Sequence, residues 1–183
     1  MIDLAMPTGT KVSLDRTLAR ARGGFSLIEL VIVVVIIGII AAIAVPRMSR
    51  GASGASDGAL SANLTVLRNA VDLYQTEHQA YPASAAGATS TDFVNQLTKF
   101  SDSNGASVAT KDASHPFGPY LRKIPPMPVG SKKTKTDIKI AVTETEAPGT
   151  TGEAWIYYPT TGEVKANLLA TELDGKDQPY NGY

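Results

Sequence analysis

Phe25-Ser26-Leu27-Ile28-Glu29-Leu30-Val31-Ile32-Val33-Val34-Val35-Ile36-Ile37-Gly38-Ile39-Ile40-Ala41-Ala42-Ile43-Ala44-Val45 is almost wholly apolar. As a helix rising roughly 1.5 Å per residue, about 21 residues span about 30 Å, the thickness of a bilayer's hydrocarbon core. The many β-branched side chains would favour a strand in water. In lipid the backbone must satisfy its own hydrogen bonds, and a lone strand cannot do so. The stretch therefore predicts a membrane-spanning helix over 25–45.

Two simpler readings compete. One is a cleaved secretory signal, for which Ala41-Ala42-Ile43-Ala44 is loosely permissive. The run is too long for an ordinary hydrophobic region of roughly 7 to 15 residues. The other is a plain single-pass anchor, and Glu29 argues against it. A carboxylate at this depth costs a few kcal/mol, so an acid inside a span points to function. It needs a cation, and no Lys or Arg lies within the run. A chain cut before Phe25 would supply one as its new α-amino group. Helical rise puts that amine and Glu29 within about 6 Å along the axis. The pair can form within one chain or between neighbours.

Working outward toward the N-terminus, Lys11, Arg16, Arg20 and Arg22 outnumber Asp3 and Asp15. A basic flank stays on the cytoplasmic side, which places the rest of the chain across the membrane. Arg22-Gly23-Gly24-Phe25-Ser26-Leu27-Ile28-Glu29-Leu30 resembles the processing and methylation signature of type IV pilins and type II secretion pseudopilins. The resemblance implies cleavage between Gly24 and Phe25 by a prepilin peptidase, and N-methylation of Phe25. It implies that Glu29 guides assembly by pairing with the N-terminal amine of an adjacent subunit. Gly38 and Pro46 sit where the family commonly carries helix-weakening residues.

Toward the C-terminus, Pro46 lacks a backbone donor, and Gly51, Gly54 and Gly58 each cost about 1 kcal/mol in a helix. Residues 46–58 read as a weak helix or as a flexible join. From Leu60 the helical period is clear. Leu60, Leu64, Leu67, Val71 and Tyr74 form an apolar stripe that Ala59, Ala62, Val66, Ala70 and Leu73 widen. This amphipathic helix is expected to end near Tyr81-Pro82. A short second helix is expected from about Thr91-Asp92, with Phe93, Leu97 and Phe100 inward. Loop follows to about Ser114, then a proline-restricted extended connection. Ile138 to Thr143 alternates like a strand. Trp155–Tyr158 and Glu163–Asn167 flank Pro159-Thr160-Thr161-Gly162 as a hairpin. The order is α+β: a long N-terminal helix packed on a small antiparallel sheet, the pilin-like fold. The expected divisions are a cytoplasmic leader at 1–24, the transmembrane and assembly helix at 25–45, an amphipathic helix at 46–82, and a small exported α+β domain at 83–183.

The chain has no cysteine and a formal net charge of zero. Disulfides, thiolate metal sites and thiol catalysis are thereby excluded, and nothing global points to nucleic acid. Only two histidines exist; His78 reads as a surface residue and His115 as a loop residue. No nucleophile elbow, phosphate loop, zinc spacing or paired carboxylates occur, so no enzyme is expected. Tyr120, Trp155, Tyr157, Tyr158, Tyr180 and Tyr183 read as core and sheet face. Lys132, Lys133 and Lys135 read as a solvated basic loop.

Without a disulfide to close the C-terminal region, the layout resembles the major (G-type) pseudopilins, which often use calcium there. Glu172-Leu173-Asp174-Gly175-Lys176-Asp177 offers hard oxygen ligands, Asp174 and Asp177, around a glycine turn. A solvated polar tail is the competing reading. The resemblance implies a structural subunit of a type II secretion pseudopilus, held in the bacterial inner membrane with a periplasmic C-terminal domain. Its implied partners are further copies of itself in a helical filament, other pseudopilins, the prepilin peptidase, and the inner-membrane assembly platform with its ATPase. A type IV pilus subunit for adhesion or motility is the alternative.

Overall fold

The computed structural model describes residues 24–149 and 151–183. The basic leader residues Arg16, Arg20 and Arg22 lie outside the described residues. The chain divides into two compact units, Met1–Ile43 and Ala44–Tyr183.

Among its described residues the first unit holds the leading part of helix α1, which runs from Leu27 to His78. Within it, Leu27–Ala44 is long and apolar enough to cross a membrane, and none of its side chains is buried. The backbone stays helical through Pro46 and through Gly51, Gly54 and Gly58. Of the two readings of 46–58, the structure shows helix. Once nucleated, a helix adds one bond per residue fixed, and Ala and Ser fill most positions between the glycines.

In the second unit, Leu60, Leu64, Leu67, Val71 and Tyr74 are all buried, as the spacing predicted. The expected widening of the stripe is wrong except at Ala70. Val66 and Leu73 are about half exposed, and Ala59 and Ala62 lie on the open side. The reason is angular: at 100° per residue these positions fall beyond the arc that one packed layer covers. The helix stops at His78, three residues before the expected end. Gln79 takes a left-handed φ of 56° and its N–H bonds Gln75 O at 2.9 Å, so a left-handed cap, and not Pro82, ends the helix.

Helix α2 spans Ser90–Thr98 and buries Phe93 and Leu97. Thr89 and Asp92 form a reciprocal capping box at its start. Replacing Thr89 with alanine is expected to cost about 1 kcal/mol, read as a lower urea midpoint of the purified protein. Phe100 does not belong to this helix. It opens strand β1 (Phe100–Ser101), which pairs antiparallel with β2 (Ser107–Val108) inside the stretch expected to be loop.

Strands β3 (Ile138–Ile140), β4 (Trp155–Tyr158) and β5 (Glu163–Ala166) make the main sheet, in that order. The predicted hairpin is β4–β5, antiparallel, with Trp155 opposite Ala166 and Gly162 at φ 75° in the turn. Strand β3 joins β4 in parallel, because residues 141–154 cross over before β4 begins. Alternation in a sequence fixes a strand's faces but not its direction of pairing. All four β4 residues are buried. Trp155 and Tyr157 face the core with α1 and α2, while Ile156 and Tyr158 pack with Ala141 on the other side. The result is the expected α+β arrangement of a long helix on small sheets.

Two surface expectations are corrected. Lys132 is buried at 7% exposure, because its ammonium reaches inward to the Asn167 carbonyl. His78 is half-buried: its ring stacks on Tyr74 at 3.9 Å and meets Phe117 at 4.9 Å. Helical spacing places it beneath Tyr74, where an aromatic ring covers it.

Candidate assembly site

Helix α1 begins at Leu27, with the Leu30 N–H bonding Ser26 O at 3.2 Å. Glu29 is therefore the third helical residue. Its Oε2 accepts the Ser26 N–H at 3.1 Å, which satisfies one of the donors every helix start leaves open. A carboxylate here also lies at the positive end of the helix dipole. The apolar segment Leu27–Ala44 thus carries its single acid at its own mouth, bonded to the residue that follows Phe25. Phe25 is 88% exposed. A Cβ added at Gly24 or at Gly38 would meet nothing within 4 Å, so packing within this chain demands glycine at neither position.

Residues 19–45 match the family model described as the prokaryotic N-terminal methylation motif. The match supports a type IV pilin-like subunit: a structural protein, processed by a prepilin peptidase and assembled into pilin-type filaments. Anchoring in the inner membrane agrees with both the motif and the apolar helix. No curated protein and no solved structure matches the chain.

The C-terminal turn is organised by Asp174, one of the two acids expected to bind calcium. Asp174 is buried; its Oδ1 accepts the N–H groups of Lys176 at 2.7 Å and Gln178 at 2.8 Å. Its Oδ2 accepts the Tyr183 hydroxyl. Asp177 is exposed and occupies a left-handed φ of 61°. As it stands the turn does not fit an ion, because Asp174 spends its oxygens on the chain itself. Among the described residues no group of three or more His, Asp or Glu side chains could hold a metal.

A further acid completes this closure. Asp57 on α1 accepts the Gly175 N–H at 3.0 Å and the Tyr180 hydroxyl at 2.7 Å. Arg68 on the same helix donates to the carbonyls of Val164 and Tyr183, both at 2.9 Å. Side chains of α1 thereby hold the C-terminal segment without a disulfide. The Tyr183 hydroxyl and the turn's N–H groups hold the Asp174 carboxyl below its ordinary value near 3.8. A depressed carboxyl stabilises the fold above its unfolded pKa, and this contribution disappears as pH falls through the folded value. The C-terminal closure is thus expected to be intact at neutral pH and to weaken below about pH 4. Thermal melts across pH test this: Asp174→Asn should lower the melting temperature at pH 7 and flatten the acid-side slope.

The histidines form no catalytic arrangement. His78 Nε2 lies 3.1 Å from Ser101 Oγ, but Ser101 is fully buried and no substrate can reach it. With Tyr120 donating to Glu77 at 2.5 Å, this cluster pins the end of α1 to β1 and the 117–121 segment. His115 pairs with Asp112 at 2.8 Å inside one tight turn.

Proposed function

We propose that the chain is a major subunit of a type II secretion pseudopilus. It is cut between Gly24 and Phe25, methylated on Phe25, and assembled through helix α1 to drive protein export. The observation that carries the reading is Glu29: one carboxylate at the mouth of the otherwise apolar, unburied segment Leu27–Ala44, bonded to the residue next to the nitrogen that cleavage would free. In the filament each Glu29 would neutralise the Phe25 amine of an adjacent subunit. The exposed stripe of Ala59, Ala62, Val66 and Leu73 on α1 supports lateral packing, since it leaves apolar surface for neighbours to cover. Other pseudopilins, the assembly platform and its ATPase are the partners this function requires. The domain after the membrane helix would lie in the periplasm.

Shearing intact cells and quantifying the protein in sheared and membrane fractions tests the reading, with its N-terminus sequenced in both. Protein beginning at methylated Phe25 and confined to the envelope supports a pseudopilus. The same form abundant in the sheared fraction would make it a surface pilus, for adhesion or motility. Any other N-terminus would remove both.

Gly24→Val is expected to block cleavage and leave the exported domain folded, because the added carbons meet open space. Full-length protein accumulating in the membrane, with an unchanged circular dichroism spectrum, is the expected result.

A further inference from the structure

Lys132 differs from its basic neighbours in being buried beside a buried amide. Its Nζ donates to the main-chain carbonyl of Asn167, which is itself 0% exposed. The Asn167 side chain is held at both ends. Oδ1 accepts the Gly149 N–H at 2.6 Å, while Nδ2 donates to the Glu153 carbonyl at 2.8 Å and to Thr151 Oγ1 at 3.3 Å. The Thr151 hydroxyl, a backbone N–H and the charges of Lys139 and Lys132 hold the Glu153 carboxyl below its ordinary value. Its Oε2 is buried with no partner among the described residues. A buried carboxylate oxygen without a donor is costly and needs a reason.

These groups are the components of an acyl transfer. They are an amine removed from water, an amide whose oxygen already receives a backbone N–H, and, on the residue whose main-chain carbonyl holds that amide, a carboxylate with an unused oxygen. We propose that Lys132 and Asn167 join through an intramolecular amide bond, Nζ to Cγ, with Glu153 carrying the proton. The lysine chain rotates to move Nζ from the main-chain carbonyl of Asn167 to the side-chain carbonyl carbon of the same residue. The neutral amine attacks Cγ, and the charge that develops on Oδ1 is stabilised by the Gly149 N–H. Glu153 takes a proton from Nζ and returns it to Nδ2. The Cγ–Nδ2 bond breaks as the Nζ–Cγ bond is kept, and Nδ2 leaves as ammonia. One amine and one primary amide become one secondary amide and one ammonia, with no change in oxidation state. Burial favours the neutral amine by pushing the Lys132 pKa down, against the pull of Glu172 and Glu153. The bond would close the chain between 132 and 167, fixing the 129–135 loop to the end of β5 in a protein with no cysteine for the purpose.

The test is peptide mass spectrometry of the full chain, purified from membranes in detergent and digested with trypsin. The expected product is a branched peptide joining the Lys132 and Asn167 segments, lighter than their sum by one ammonia, with no cleavage after Lys132. Lys132→Arg should remove it, and Glu153→Gln should yield unlinked peptides from a protein whose circular dichroism is unchanged. Cleavage after Lys132 in the wild type, with Asn167 intact or converted to aspartate, would overturn the bond. A Glu153→Gln protein linked as fully as the wild type would overturn the proton transfer assigned to Glu153.

Discussion

Replacing Glu29 with leucine is expected to abolish filament formation while leaving membrane insertion and the exported domain intact. The substitution makes an apolar helix more apolar and relieves a cost of a few kcal/mol. Its local loss is one hydrogen bond, from the Ser26 N–H at 3.1 Å, at an exposed helix end. The consequence lies between subunits, where the Phe25 amine of an incoming chain would meet no carboxylate. Breaking a desolvated ion pair by removing one partner costs about 3–5 kcal/mol, so assembly should fall by roughly a hundredfold or more per contact. Glu29→Gln separates charge from hydrogen bonding. It keeps an acceptor for Ser26 and should still assemble poorly. Quantitative immunoblotting of filament and membrane fractions reads both variants. Filament yield equal to wild type from the leucine variant would remove the proposed role.

The features legible in the sequence are those fixed by local rules. The apolar run, its single acid and the Leu60-to-Tyr74 stripe are periodic, and burial in lipid or protein follows from that period. The β4–β5 hairpin was legible because Gly162 marks a turn that needs positive φ; a Cβ there would also press into the Tyr81 ring at 2.3 Å. What local rules missed depends on distant partners. Strand β3 pairs in parallel because of where a crossover returns it. His78 is covered by Phe117 and Tyr120, some forty residues on. Asp57 is tied to Tyr180 across 123 positions, and nothing in the helical pattern around Asp57 announces that. Lys132 looked solvated because it lies among other lysines, yet its aliphatic stem gives it reach into the interior.

Trp155→Ala is expected to unfold the second unit and abolish filaments, yet to leave cleavage after Gly24 unaffected. Trp155 lies in the central strand, fully buried, and its indole N–H donates to the Pro125 carbonyl at 3.0 Å. Truncating a buried tryptophan costs about 3–5 kcal/mol, a large share of the roughly 5–15 kcal/mol that holds a domain together. It also leaves the Pro125 carbonyl without its donor. Trp155→Phe retains most of the volume and loses the hydrogen bond, for about 1 kcal/mol, and should stay folded. Trp155 is the only tryptophan, so circular dichroism, and not intrinsic fluorescence, must follow the transition. The proposed cut site belongs to the other compact unit, so processing is expected to depend on the leader and helix start alone. The alanine variant should therefore begin at Phe25 while failing to assemble, and Glu29→Leu should fail to assemble while keeping a folded domain. Loss of cleavage in Trp155→Ala would mean that processing reads the exported fold as well as the motif.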